Sequence, residues 1–466
     1  MISKHIATFI GNELAFEPTS DQKKLIENLS DFVINPDFEI FLLKGYAGTG
    51  KTSVVAALVQ SLKKLKINTI LMAPTGRAAK VLSSYSSTQA FTIHKKIYRQ
   101  KSIDDIATFS ITANLYKDTI FIVDEASMIS GASYEQSIFG SGDLLEDLMT
   151  YVQSGQRCKI IIVGDSAQLP PVGFKLSPAL DIDRLKCYGN CVEIELAEVV
   201  RQARESGIFL NATKIRQQIE SEKITFPKFD TNFPDIVSIS GADLIETLSD
   251  AYAKYGNEET IIICRSNKRA NKYNEGIRSR VFYMEDEIIS GDRVMVVKNN
   301  YQLKDIAEID FIANGDIATI RRIRKYHERY GLHYADMLLE FPDYNNLEIE
   351  SKVILDTLSI DSASLPAETN KAMFYSLAED YAHLTKKQDR YRAIKDDPFF
   401  NALQIKFAYA VTCHKSQGGQ WECVFLDCPY FPDDNITYED LRWFYTAVTR
   451  ASKKLYLINF DERYFE

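Results

Sequence analysis

The chain has 466 residues, of which 45% are hydrophobic and 26% charged, with a formal net charge of −9. That length exceeds one ordinary hydrophobic core and predicts about two to four domains of a soluble globular protein. No apolar run reaches the length of a signal peptide core or a membrane span, and the acidic balance argues weakly against nucleic-acid binding unless basic groups gather locally.

In chain order, "FEIFLLKG", "NTILMAP", "TIFIVDE" and "KIIIVGD" are short apolar runs that end in small or charged residues. Helical patterns such as "TSVVAALVQSLKKLK" and "AAKVLSSY" separate them, which predicts an α/β, doubly wound parallel sheet. Ligands of such sheets bind beyond the carboxyl ends of the strands. The first unit is expected over 1–94 and 118–200, with a small insertion at 95–117. A second α/β unit is expected over 201–284 and 401–466. It is marked by "ETIIICRS", "KFAYAV" and "KLYLINF". Between its halves, 285–400 reads as short strands of a small barrel followed by one long polar helix over 369–395.

The basic runs Arg321–Arg329 and Lys386–Arg392 read as solvated faces. Seven cysteines are scattered. Cys187 and Cys191 lie close together, but nothing completes a zinc site, so they read as thiols of a reducing compartment. The expected location is the cytoplasm, in association with the nucleoid.

"GYAGTGKT" (Gly45–Thr52) follows a strand and opens a helix, the context that makes G-x-x-x-x-G-K-T a phosphate loop. Gly45, Gly48 and Gly50 let backbone N–H groups turn toward phosphate oxygens, and the helix start at Ser53 adds a positive dipole end. Lys51 supplies a charge for the β/γ-phosphates, and the Thr52 hydroxyl suits Mg²⁺. "TIFIVDE" ends in two carboxylates: Asp124 suits Mg²⁺, and Glu125 is placed to polarise an attacking water. In "IIIVGDSAQLPPVG", Gln168 can hydrogen-bond a γ-phosphate or its water. Arg201 follows the last strand of the first unit and Arg450 sits on a helical pattern near the C-terminus; an arginine delivered from a neighbouring domain can act on a transferring phosphoryl group, and the alternative for Arg450 is a surface or interdomain salt bridge. Together these predict an ATP hydrolase.

The ordered set "GYAGTGKT", "APTGRAAK", "TIHKKI", "VDEASM", "GDSAQLPPVG", "VVRQA", "TCHKSQGGQWE" and "YTAVTRA" resembles the superfamily 1 DNA helicases of the RecD/Pif/Dda type. The resemblance spans Gln22 to Arg450. It implies two RecA-like motor domains in tandem, with a short insertion in the first and an SH3-like β-barrel plus helix in the second. It implies ATP and Mg²⁺ as cofactors, and single-stranded DNA and single-strand/duplex junctions as partners. It also implies 5′→3′ movement by a monomeric motor.

By the same resemblance Gln22 reads adenine and Gly418 lies toward the nucleotide. Arg201 and Arg450 are arginine fingers. Pro74, Thr75, Thr92, His94, Thr412, His414 and Lys415 touch the DNA strand. Phe109 is expected at the tip of a strand-separating pin. Two other readings of the same core are a P-loop ATPase that remodels a protein or RNA partner, and a helicase of opposite polarity.

Overall fold

The computed structural model describes residues 2–100, 109–131, 139–200, 205–300, 312–431 and 435–465. Six strands form the first sheet in the order Ala90–Thr92, Asn68–Ala73, Thr119–Val123, Lys159–Gly164, Ile40–Gly45, Cys191–Leu196. Every pairing in it is parallel. The central strands are apolar at successive positions because both faces are covered. On one face Leu43, Leu71 and Ile161 meet the helices Ile2–Glu13, Ser20–Ile34 and Lys51–Lys64. On the other, Phe121 is fully buried, edge-on to Tyr116 and Tyr151 at 5.8 and 5.9 Å. Burying a side chain of that size contributes about 1.5–3 kcal/mol.

The second sheet runs Ala410–Thr412, Thr260–Cys264, Trp421–Asp427, Ala451–Ile458, Ile236–Ile239 and is also wholly parallel. Between its parts in sequence lies a closed five-stranded barrel: Arg293–Val296, Ile317–Arg329, Leu332–Phe341, Leu347–Ile354 and Leu403–Phe407. Two parallel sheets in tandem with an intervening barrel are the architecture the sequence predicted.

Two details differ. Leu403–Phe407 was expected to resume the second sheet, but it closes the barrel. Its Leu403 and Ile405 point into the barrel core, and the chain reaches the second sheet only at Ala410. The long polar helix is two helices, Ala367–Asp380 and Lys387–Asp396. The turn between them is held by Tyr381 Oη donating to Asp397 at 2.8 Å and by Arg390 donating to the Leu384 carbonyl at 2.9 Å. Among the described residues no helix is long and apolar enough to cross a membrane.

Candidate active site

The phosphate loop joins the strand Ile40–Gly45 to the helix Lys51–Lys64. Gly50 ends it at φ +78°, and a Cβ there would lie 2.4 Å from Gln22 Nε2. Both the left-handed backbone and the close approach demand glycine. Gln22 is fully buried: Oε1 accepts from the Thr19 N–H at 3.0 Å, and Nε2 donates to the Thr49 carbonyl at 2.9 Å. Gln22 therefore braces the loop from behind, and its amide is not among the groups that wall the cavity. Ser53 is exposed and Gly45 lies beneath the Lys51 stem, so neither lines the cavity.

That cavity, of about 350 Å³, is walled from both sheets. The first contributes Gly48, Gly50, Lys51, Thr52, Asp124, Glu125, Asp165 and Gln168; the second contributes Gln420, Thr449 and Arg450. Lys51 Nζ donates to the Tyr46 carbonyl at 2.9 Å and lies 3.9 Å from Asp165. Burial, reinforced by the charge of Glu125, raises the Asp124 carboxyl to about 7. Glu125 has φ +54°, a left-handed conformation that is costly for a side-chain-bearing residue and is concentrated at functional sites. Gln168 is buried and its Oε1 lies 3.5 Å from Ser127 Oγ.

Arg450 is 2% exposed, and its guanidinium donates to the carbonyls of Thr446 and Gly419 at 3.0 and 3.1 Å. Packed on its own domain yet open to the cavity, it is held at the edge of the phosphate site. Arg201 lies outside the described residues. Thr52 and Asp124 offer hard oxygen donors, and among the described residues no cluster of three His, Cys, Asp or Glu could hold a metal by itself. That donor set fits Mg²⁺, which keeps waters and substrate oxygens in its shell.

The residues expected on the nucleic acid fall in three places. Thr75 and Thr92 each cap a helix that follows a strand, accepting from Ala78 and Lys95 N–H groups at 3.2 Å. Pro74 is half-buried just before the first of them. A groove of about 760 Å³ opens between these helices and the barrel, lined by Gly76, Lys80, Ser83, Thr92, Lys95 and Tyr344 among others. Its floor is tied across domains: Lys80 Nζ lies 3.4 Å from Asp343 and donates to the Pro342 carbonyl at 3.0 Å.

Thr412 ends a strand of the second sheet, and His414 and Lys415 sit on the short helix Cys413–Ser416 that follows, where Lys415 donates to Asn314 of the barrel. Burial and nearby Lys406 lower Lys415 to about 8. His414 keeps an exposed edge, although partial burial lowers its ring. Gly418 is corrected: a Cβ on it would meet Thr75 Oγ1 at 2.9 Å, so it packs on the first domain's capping threonine, and Gln420 faces the cavity instead.

Two more expectations change. His94 packs on Phe139 and Tyr98 at 4.8 and 5.6 Å, and burial lowers its ring to about 4. It is partly buried at the root of a two-stranded hairpin, Tyr98–Gln100 paired antiparallel with Phe109–Ile111, and the neighbouring Lys95 lines the groove. Phe109 is 7% exposed and lies 4.9 Å from Phe139, so it anchors that hairpin and is not a tip. The segment 101–108 lies outside the described residues.

Sequence reasoning passed over Arg77 and Trp421. The Arg77 guanidinium stacks on the Trp421 ring at 4.2 Å and donates to the Gln420 carbonyl at 2.8 Å, joining the domains beside the cavity. Both sit inside motifs already singled out. An Arg and a Trp in two such segments were the available signal, though nothing in sequence paired them.

Residues 19–228 match the model of an AAA domain family, and residues 407–458 match a UvrD-like helicase C-terminal domain. The chain is 22% identical to the ATP-dependent DNA helicase dda of Enterobacteria phage T4, covering 96% of this chain and 100% of that protein. It is 24% identical to an uncharacterized protein of Methanocaldococcus jannaschii over 95% of this chain, spanning 38% of that longer protein. Among solved structures, Pif1 helicase from Bacteroides in complex with ADP-AlF3 and ssDNA is similar with a TM-score of 0.47 and 15% identity, covering 97% of this chain and 95% of that one.

Proposed function

We propose that this chain, which belongs to the superfamily 1 DNA helicases of the RecD/Pif/Dda type, uses ATP hydrolysis to pull single-stranded DNA between its two parallel-sheet domains, moving 5′→3′ and separating the duplex ahead. One observation carries this reading: the phosphate-loop cavity is completed by Arg450 from the second domain. A site shared across two bodies makes closure around a nucleotide and hydrolysis the same event.

Each residue has a defined task. Backbone N–H groups of 48–52 and Lys51 bind the β- and γ-phosphates. Thr52 and Asp124 would hold Mg²⁺, which supplies neutralising charge on those oxygens. Glu125 accepts the proton of the water that attacks the γ-phosphorus as the bond to the β–γ bridging oxygen breaks. Gln168 orients that water or the γ-phosphate, and Arg450 stabilises the charge that builds on the transferring group.

The DNA contacts divide between domains. Thr75, Thr92 and Lys95 serve the first; Thr412, His414 and Lys415 serve the second. Alternating grip requires that the two sets differ in contact between the open and closed states. The Arg77–Gln420–Trp421 clasp supports such coupling, because it links the helix capped by Thr75 to a residue of the nucleotide cavity. The motor acts as a monomer on single strands and junctions in the cytoplasm.

Unwinding of a tailed duplex tests this directly. A 5′-tailed substrate should be separated in the presence of ATP and Mg²⁺, and a 3′-tailed one should not. Unwinding from the 3′ tail alone would reverse the assigned polarity. Strand binding should weaken with salt at a slope of about −0.7 per phosphate contact in log–log form. A flat salt response would favour a protein-remodelling ATPase.

A further inference from the structure

The helix Tyr438–Val448 carries more than the approach to Arg450. Its residues from Asp440 to Val448 are all buried. Tyr445, near its end, is 1% exposed, and its hydroxyl reaches into the other domain. There it accepts from the Ala47 N–H of the phosphate loop at 2.8 Å and donates to Asp165 Oδ2 at 2.7 Å. Burial and the neighbouring Asp165 charge push the phenol well up from its ordinary value, so it keeps the proton it donates. Asp165 is the same carboxylate that lies 3.9 Å from Lys51 Nζ, and its other oxygen accepts from the Ala167 N–H at 3.0 Å.

The next residue repeats the pattern. Thr446 Oγ1 accepts from the Leu169 N–H at 2.8 Å, while Gln417 Nε2 donates to the Leu169 carbonyl at 2.6 Å. Both backbone groups of the residue after Gln168 are thus satisfied by side chains of the second domain. The Thr446 carbonyl in turn accepts from Arg450 Nε at 3.0 Å. One turn of helix therefore touches the phosphate loop, the lysine's partner, the segment that carries Gln168, and the arginine.

Resting on the ATPase reading above, we propose that Tyr445 and Thr446 are positioning residues for hydrolysis, fixing Arg450 in register with the phosphate loop and with Gln168. A two-point attachment suits this role. One bond would let the helix pivot, whereas two on adjacent residues to different loops fix its angle as well as its distance. Arg450 lies two residues past the helix end at Val448 and its Nε donates to the Thr446 carbonyl, so an error at the attachment is carried to its guanidinium. Misplacement of about 1 Å in a catalytic group can cost on the order of 100-fold in rate. The attachment also gives the second domain a direct reading of the phosphate loop, because Ala47 N–H belongs to the loop that must enclose the nucleotide.

Steady-state ATPase kinetics of the full chain, with and without an oligodeoxynucleotide, test this. Tyr445→Phe keeps the ring and removes the hydroxyl. It should lower DNA-stimulated kcat about 10- to 100-fold while KM for ATP stays within about threefold. In an Arg450→Ala background the same change should cause no further loss, because no guanidinium is left for the attachment to place. Thr446→Val should lower kcat about 10-fold, and Thr446→Ser, which restores the hydroxyl, should recover it; this pair carries the test if Tyr445→Phe fails to fold. The inference is overturned if Tyr445→Phe or Thr446→Val turns over within twofold of an active wild type, or if the loss multiplies with that of Arg450→Ala. An inert wild type overturns the ATPase reading itself, and the positioning role with it.

Discussion

The two parallel sheets are built alike and furnished differently. In the first, strand ends carry the groups of phosphate chemistry: Lys51 and Thr52 after one strand, Asp124 and Glu125 after another, Gln168 after a third. In the second, strand and helix ends carry the groups proposed to respond to that chemistry: Gln420, Arg450, and the Thr412–Lys415 segment tied to the barrel. A single sheet of this kind can hold a nucleotide. The second makes holding it depend on where another body lies, and that dependence converts an ATPase into a motor.

The largest expected effect comes from emptying the first sheet of its charge. Lys51→Ala should abolish measurable ATP turnover and leave oligonucleotide binding within about threefold, read by ATPase assay and fluorescence anisotropy; retained turnover would break the assignment of chemistry to this sheet. Arg450→Ala should lower kcat by about 10³-fold while preserving ATP affinity, as expected for a group that acts in the transition state. A loss confined to KM would make Arg450 a binding residue and blur the contrast between the sheets.

A smaller effect is expected at the clasp. Arg77→Lys keeps a charge but loses the planar stack on Trp421 and the reach to Gln420. It should reduce stimulation by DNA about 3- to 10-fold, with a lesser change in basal turnover. Equal losses would make the clasp a structural contact.

The smallest effect is on stability and depends on pH. The Asp124 carboxyl stands at about 7 against an ordinary 3.8. Between those values the folded chain holds the proton more tightly, so this group's contribution to stability falls as pH rises and is lost above about 7. Asp124→Asn removes that penalty. In metal-free buffer it should raise the melting temperature by about 2–4 °C at pH 8 and leave it unchanged near pH 4. The opposite trend would mean that the carboxylate is stabilised in its pocket.

Legibility followed range along the chain. The phosphate loop, the Asp124–Glu125 pair and the parallel strands are local patterns, and all were readable. Tyr445 and Asp165 are 280 residues apart, and no local pattern joins them. Gln22 was found by resemblance, but its role as a brace depends on Gly50 lacking a Cβ across the fold. Phe109 was expected at the pin tip because an aromatic can stack on an end base pair, although its alternation with Ile111 signals a strand with a buried face. The break at 381–386 escaped notice because the segment is polar throughout, and the groups that stop the first helix, such as Asp397, come after the second.

On the proposed reading, nucleotide chemistry and DNA grip are one coupled system. ATP turnover by the purified chain, measured with and without a single-stranded oligodeoxynucleotide at fixed Mg²⁺ and low salt, tests this most directly. Stimulation of about 10-fold or more is expected in the wild type, and its loss in Arg450→Ala. Equal turnover with and without DNA, in a chain that binds the oligonucleotide, would contradict it.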